Sequence, residues 1–291
     1  MDVNHVTTPD ESLGEDTDWA ALWRHLVTRR IRCLSPGSSG SGDARTDPWQ
    51  RRARDYDELV RRRWAEPDTS RQFVLSELSA NDTLLDVGAG TGAWSALAAP
   101  RVAGVTAVEP SPAMAGLLRE KLAARDIGNV RIIEGWWPEV DVDPHDVSLC
   151  AHAMYWSADL EAFVGRMVAC TRRTCILIVR AHDPGGILAE ASLRLFGSAI
   201  DGPNLVVASN VLHQMGIRAQ VLMERGGARE PRQSSTLEEA LGRVKRHLGL
   251  CDATEHDGYL LALLRRRLSC QGGRYLWPLE GGSGLLSWSV R

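Results

Sequence analysis

Five short apolar runs govern the middle of the chain: 83–87, 105–108, 130–133, 147–151 and 175–179. They are rich in Val, Ile and Leu, and their starts lie about 17 to 28 residues apart. That is the spacing of strand, loop and crossover helix. Two apolar stripes between them follow helical periodicity: Met114, Leu117, Leu118 and Leu122, then Leu160, Phe163, Val164, Met167 and Val168. Strands without polar alternation are covered on both faces, so the pattern predicts an open, parallel α/β sheet. Ligands of such sheets sit beyond the carboxyl ends of the strands, where the strand order reverses.

Composition narrows the setting. The chain has 291 residues and a formal charge of −3. That charge argues against a polyanionic partner, although arginines cluster at 29–32, 51–54 and 61–63. Acids such as Asp55, Asp57 and Glu58 interrupt these clusters, so they read as solvated helix surface rather than a nucleic-acid groove. No apolar run reaches the roughly 18 residues that a membrane helix needs. The first 18 residues carry acids and no apolar core, unlike a secretory signal. The six cysteines form no C-x-x-C pair and have no histidines at zinc-finger spacing. The chain therefore reads as a reduced, cytoplasmic protein without a structural metal, with no membrane partner. Ten Trp stand against four Tyr and three Phe.

The first run ends in Leu84-Leu-Asp-Val-Gly-Ala-Gly-Thr-Gly-Ala-Trp94. Glycines at 88, 90 and 92 allow a tight turn and let a ligand lie against bare backbone. The second run ends at Glu109, followed by Pro110-Ser-Pro112, with Pro112 placed to open a helix. A carboxylate there can accept two hydrogen bonds from a ribose diol. Gly88 to Ala93 also fits G-x-G-x-x-A, the dinucleotide fingerprint. Asp86, two residues before the first glycine and read as pointing at the ligand space, decides between the two cofactors. Its carboxylate repels a pyrophosphate and attracts a ligand with an ammonium and no phosphate, such as S-adenosylmethionine.

These segments, with Val108-Glu-Pro-Ser111, resemble the class I S-adenosylmethionine-dependent methyltransferases over about residues 49–180. The resemblance implies a seven-stranded Rossmann-like sheet, mostly parallel with the last strand antiparallel, under an N-terminal helical lid and a helical cap. It implies S-adenosyl-L-methionine as cofactor, held by Asp86, Gly88, Ala89, Gly90, Glu109, Pro110, Met114 and Ala151. The run Glu134-Gly-Trp-Trp-Pro138 matches the family's adenine loop, placing Gly135 and Trp136 or Trp137 at the purine. Trp49 to Tyr56 resembles the helix that closes over the cofactor. Trp49, Arg52 and Tyr56 share a face there by i, i+3, i+7 spacing, which adds Arg52 and Tyr56 to the site.

Methyl transfer asks mainly for alignment of nucleophile, methyl and sulfur, and a base helps when the acceptor is a hydroxyl or ammonium. His152, just past the fourth strand, is the first candidate base. His182, after the fifth, and His213, in the expected cap, follow. The domain reading is an extension over 1–48 with a flexible Gly/Ser loop, then one methyltransferase domain over 49–291. Within it, 81–180 is the cofactor half, 181–235 the cap insertion, and 236–291 the C-terminal helices and last strands. A sixth strand is expected over 219–223. A capping box of Ser235 with Glu238 should open a helix, and a last strand over 284–290 should run antiparallel between the fifth and sixth. Five of the ten tryptophans, Trp49, Trp94, Trp136, Trp137 and Trp156, fall in segments expected around the cofactor. The acceptor reads as a small molecule, with O, N or C as the methylated atom. Specialised metabolism is the expected setting, and a homodimer is left open. The alternatives are a cofactor-binding protein that does not methylate and an NAD-type oxidoreductase, which Asp86 disfavours.

Overall fold

The structure, a computed structural model, describes residues 17–34, 47, 49–225, 231–279 and 281–290. The Gly/Ser stretch anticipated over 35–42 lies outside these residues. Three helices precede the sheet: α1 (Trp19–Leu34), α2 (Ala53–Arg63) and α3 (Thr69–Ser76). The five anticipated strands follow as β1 (Thr83–Val87), β2 (Gly104–Val108), β3 (Val130–Ile133), β4 (His145–Ala151) and β5 (Thr171–Arg180). Helices α4 (Ala93–Ala98), α5 (Pro112–Ala123) and α6 (Leu160–Ala169) make the crossovers, whereas 134–144 joins β3 to β4 without a helix. Then come α7 (Ile187–Phe196), α8 (Leu205–Gln214), β6 (Gln220–Met223), β7 (Gln233–Ser234), α9 (Leu237–Leu248) and α10 (Asp257–Arg267). Strands β8 (Ser269–Gln271), β9 (Arg274–Leu276) and β10 (Ser283–Ser289) complete the described chain.

The main sheet has seven strands in the order β3-β2-β1-β4-β5-β10-β6. Strands β1 to β5 pair parallel, and β10 runs antiparallel between β5 and β6, as anticipated. Successive side chains serve opposite faces. Leu85, Val87, Cys150 and Leu286 pack against α1, α6 and α8, while Leu84, Val147, Leu149 and Leu285 pack beneath α3 and α4. Each fully buried Leu, Val or Met here contributes roughly 1.5–3 kcal/mol. Helix starts are set by local polar groups: Ser111 caps α5 ahead of Pro112, Asp159 caps α6 and Asn204 caps α8. The box expected at Ser235 and Glu238 falls one residue later. Thr236 caps α9 by accepting from the Glu239 amide, and Glu239 reaches back to the Ser235 amide. The register slips because Thr236 competes equally well for the cap.

The segment anticipated as a cap divides between two places. Helix α8 joins the main core against α1 and β10, while α7 joins α9, α10 and Trp277 in a separate apolar cluster. Beside that cluster lies a small sheet, β7-β9-β8, with no counterpart in the sequence reading. Cysteine usage also needs correction. Cys33 and Cys251 form a disulfide with Cα atoms 5.6 Å apart, tying α1 to the turn after α9. Their separation of 218 residues hides the pair from any local pattern. Cys150, Cys170 and Cys175 are free and buried. Among the described residues no helix is long and apolar enough to cross a membrane.

Candidate active site

The parallel register brings the ends of β1, β2 and β3 level, with Val87 opposite Val108 and Val108 opposite Ile133. The residues that leave β1, β2 and β4 at this edge are Gly88, Glu109 and His152. The order reverses where β1 meets β4, and a cleft opens there. Gly88, Gly90 and Gly92 have φ of 72°, 58° and 78°. A Cβ on Gly88 would lie 2.1 Å from the Ala153 side chain, and one on Gly92 2.0 Å from Leu118. Gly90 differs. Its Cβ would meet only Tyr56, at 4.0 Å, so its bare backbone faces the cleft.

Glu109 is 5% exposed and lines the cleft. Its two oxygens accept from the Gly90 amide at 2.7 Å and the Ser111 amide at 2.8 Å. Burial outweighs these bonds and raises its carboxyl to about 7, with Asp86 and Asp47 adding to the rise. Asp86 lies beneath the glycine turn, 1% exposed, and is no part of the cleft wall. Its Oδ2 accepts from the Ser95 hydroxyl at 2.6 Å, and burial raises it to about 6.

The walls are aromatic. Trp49 and Tyr56 face one another with ring centres 5.0 Å apart. Trp136, Trp137, Trp156 and Phe163 line the other side, and Trp137 Nε1 donates to the Phe163 carbonyl at 3.0 Å. His152, at φ 59°, stands at the cleft edge. The Arg180 amide donates to the Tyr155 hydroxyl at 2.6 Å, and the same hydroxyl lies 3.3 Å from His152 Nδ1. His152 Nε2 is hydrogen-bonded to Ser283 Oγ at 3.1 Å, and the ring tautomer sets which partner donates in each of the two imidazole bonds. Burial and the Arg63 charge push this imidazole down to about 4.

A family model described as a methyltransferase domain matches residues 84–174, the segment that builds most of this cleft. Over these residues the chain is similar to that domain, and its sheet has the Rossmann-like order of the class I S-adenosylmethionine-dependent fold. A putative methyltransferase from Bacillus halodurans C-125 shares its fold at 13% identity and TM-score 0.52, over 76% of this chain and 97% of that one. Also similar are magnesium protoporphyrin IX methyltransferase from Synechocystis with bound S-adenosylhomocysteine, and a methyltransferase from Thiobacillus denitrificans in complex with the same compound. The first has 14% identity over 94% and 100% of the chains at TM-score 0.43. The second has 12% identity over 76% and 90% at TM-score 0.45. No curated protein matches the sequence.

The cleft gathers Tyr56, Gly88, Gly90, Glu109, Pro110, Met114, Trp136, Trp137, Ala151 and His152 from the anticipated site. Ala89 packs inward with α5, and Gly135 abuts Val140 outside the cleft wall. Arg52 is exposed at the start of α2 with its guanidinium 5.7 Å from the Trp49 ring centre, because that helix begins only at Ala53. Trp94 turns away and packs edge-on against Trp64. His182 stands beside Asp201 at 3.8 Å, and His213 is exposed near the end of α8. Neither lines the cleft. No described residue beyond Phe163 does, so the walls come from residues 47–163. Sequence reasoning missed Asp47 and Ser111, whose side chains meet at 2.7 Å beside Glu109. The Pro-Ser-Pro cap signal could have pointed to Ser111. Asp47 carries no local signal.

Proposed function

We propose that the chain transfers the methyl group of S-adenosylmethionine to an O, N or C atom of a small molecule in specialised metabolism. The observation that carries this reading is the convergence of the bare Gly90 backbone, the Glu109 carboxylate and an aromatic cleft at the sheet's switch point. The residues fit the cofactor. Glu109 has spare lone pairs for a ribose diol, Gly90 offers space no side chain fills, and Trp136, Trp137 and Met114 offer flat and soft walls for a purine. Asp86 acts from beneath the turn, as a buried negative charge favouring the cofactor's ammonium, rather than by direct contact.

The bound cofactor would supply an electrophilic methyl group on a sulfonium. The chain's own part is to hold the acceptor in line with it, a service worth roughly 7–11 kcal/mol in well-oriented systems. Tyr56 and Trp49 close the cleft from the lid side, and Trp156 borders it near His152. His152, neutral at pH 7, is the proposed proton acceptor for a hydroxyl or ammonium substrate. It can take that proton only when its bond to Tyr155 or to Ser283, whichever engages the unprotonated nitrogen, opens. His182 and His213 are second candidates only if the acceptor extends beyond the cleft. Trp49, Tyr56, Trp136 and Trp156 suit a flat acceptor better than a polyanion.

The cytoplasm is the proposed setting, supported by the three buried free thiols. The Cys33–Cys251 bond argues the other way, since reducing compartments keep such pairs open. The test is incubation with methyl-labelled S-adenosylmethionine and a pool of small metabolites. Labelled product supports the enzyme. Binding of S-adenosylhomocysteine without labelled product from any pool would replace it with a cofactor-binding, non-methylating protein.

A further inference from the structure

Helix α2 carries two side chains that reach the site from one face, Tyr56 and Arg63, seven residues apart. Tyr56 lies over Gly90 in the cofactor cleft. Arg63 reaches past the cleft to the far edge of the sheet. Its Nη2 donates to Glu224 at 2.7 Å, just after β6, and to Ser283 Oγ at 2.9 Å, at the start of β10. Ser283 is 1% exposed, and the same hydroxyl is hydrogen-bonded to His152 Nε2 at 3.1 Å. A chain of contacts therefore runs Glu224–Arg63–Ser283–His152–Tyr155 and ends on the Arg180 amide. It crosses α2, β10, the end of β4 and β5. Near its base α2 is pinned to α5 by Lys121 and Asp57 at 2.6 Å. The Arg63 end is held by this chain of contacts, by Arg71, which donates to the Trp64 carbonyl at 3.0 Å, and by the edge packing of Trp64 on Trp94.

We propose that Arg63 is a positioning residue: it latches the lid helix to the sheet edge and, through Ser283, fixes His152 in one tautomer and orientation at the cleft. This rests on the reading of His152 as the residue beside the reacting centre. The consequence is a coupling. The helix that places Tyr56 over the cofactor also delivers the guanidinium whose charge adds to burial in keeping the imidazole neutral, so lid position and histidine state are linked. The charged and titratable groups around His152 are Arg63 from α2, Tyr155 from the turn after β4, Arg180 from β5 and Glu224 after β6. Of these, Arg63 is the one whose charge adds to burial in holding His152 down. Arg63 is half exposed, so water screens part of its effect and burial keeps the larger share.

The experiment is a pH titration, from 3 to 8, of full-length protein carrying ¹⁵N-labelled histidine, with the His152 signal assigned from His152→Asn. The parent should show a neutral ring in one tautomer at pH 7 and a midpoint near 4. Arg63→Gln should raise the midpoint by about half a pH unit or more and mix the two tautomers, and Arg63→Lys, which keeps the charge, should return the midpoint toward the parent. Ser283→Ala, a second route if Arg63→Gln fails to fold, should lose the single-tautomer preference while Arg63 remains. A midpoint and tautomer unchanged in Arg63→Gln and Ser283→Ala would overturn the proposal. Calorimetry of the parent with S-adenosylhomocysteine runs alongside. Absence of binding there would sink the methyl-donor reading, while the His152 titration would still decide the latch.

Discussion

Asp86 and Glu109, in the cofactor half, accept hydrogen bonds only from a hydroxyl and from backbone amides, and burial raises them to about 6 and about 7. Asp201, as deeply buried in the C-terminal half, accepts from Arg180 at 2.9 Å and His247 at 2.7 Å. Those partners outweigh its burial and hold it well below the usual carboxylate range. The difference separates structural from ligand-directed charge. Around Asp201 the opposite charge is supplied by the chain itself, joining β5, α9 and the turn before α8. Beside the cleft no cation among the described residues meets Glu109, and the uncompensated acid suits a ligand that brings hydroxyls and an ammonium.

Three tests can break or sharpen this contrast. The largest effect belongs to Asp201→Asn, which strips the counter-charge from a partly buried Arg180. Urea unfolding should show a loss of about 3 kcal/mol or more, with S-adenosylhomocysteine affinity unchanged within about twofold. Equal losses in stability and affinity would show that the halves are not independent. Next is the staple of the C-terminal half. Reduction of Cys33–Cys251, or Cys251→Ser, should cost about 2–4 kcal/mol, read as a lower melting temperature with dithiothreitol. A melt indifferent to reductant would remove the disulfide from the account.

Glu109 gives the smallest change in stability and the clearest change in binding. Glu109→Gln should weaken S-adenosylhomocysteine about tenfold or more, near 1.4 kcal/mol. Its pH behaviour has a definite sign. An acid raised to about 7 on folding contributes stability below the ordinary carboxylate range and loses it as pH rises through 7. The free protein should therefore melt lower at pH 8 than at pH 6, and Glu109→Gln should flatten part of that slope. The ionised form accepts the ribose diol better, so stabilisation by S-adenosylhomocysteine should grow from pH 6 to pH 8. A ligand effect that shrinks over that range would contradict the assignment.

The cofactor half was legible because its signals are local. Five apolar runs, three glycines and the Pro110-Ser-Pro112 cap lie within a few residues of what they specify, and the strands appeared where their hydrophobic runs ended. Glu109 follows its strand directly, so its place at the edge is a matter of counting. Asp86 shows where counting stops. Strand alternation puts it on a face, but only the fold shows that the glycine turn covers it and that Ser95 takes its hydrogen bond. Trp94 was drawn to the cofactor by its neighbours in sequence, yet Trp64, thirty residues earlier, offers the better packing partner.

What the sequence determined by itself was the sheet, its switch point and the donor edge, because backbone hydrogen bonding and hydrophobic periodicity are encoded residue by residue. The antiparallel return of β10 was anticipated too, through the family resemblance. The tertiary structure alone decided which groups act together over long separations. Cys33 meets Cys251, Asp47 meets Ser111, and Arg63 meets Ser283 and through it His152. Such pairs share no spacing rule. Their energy comes from desolvation and geometry that exist only once distant elements have packed.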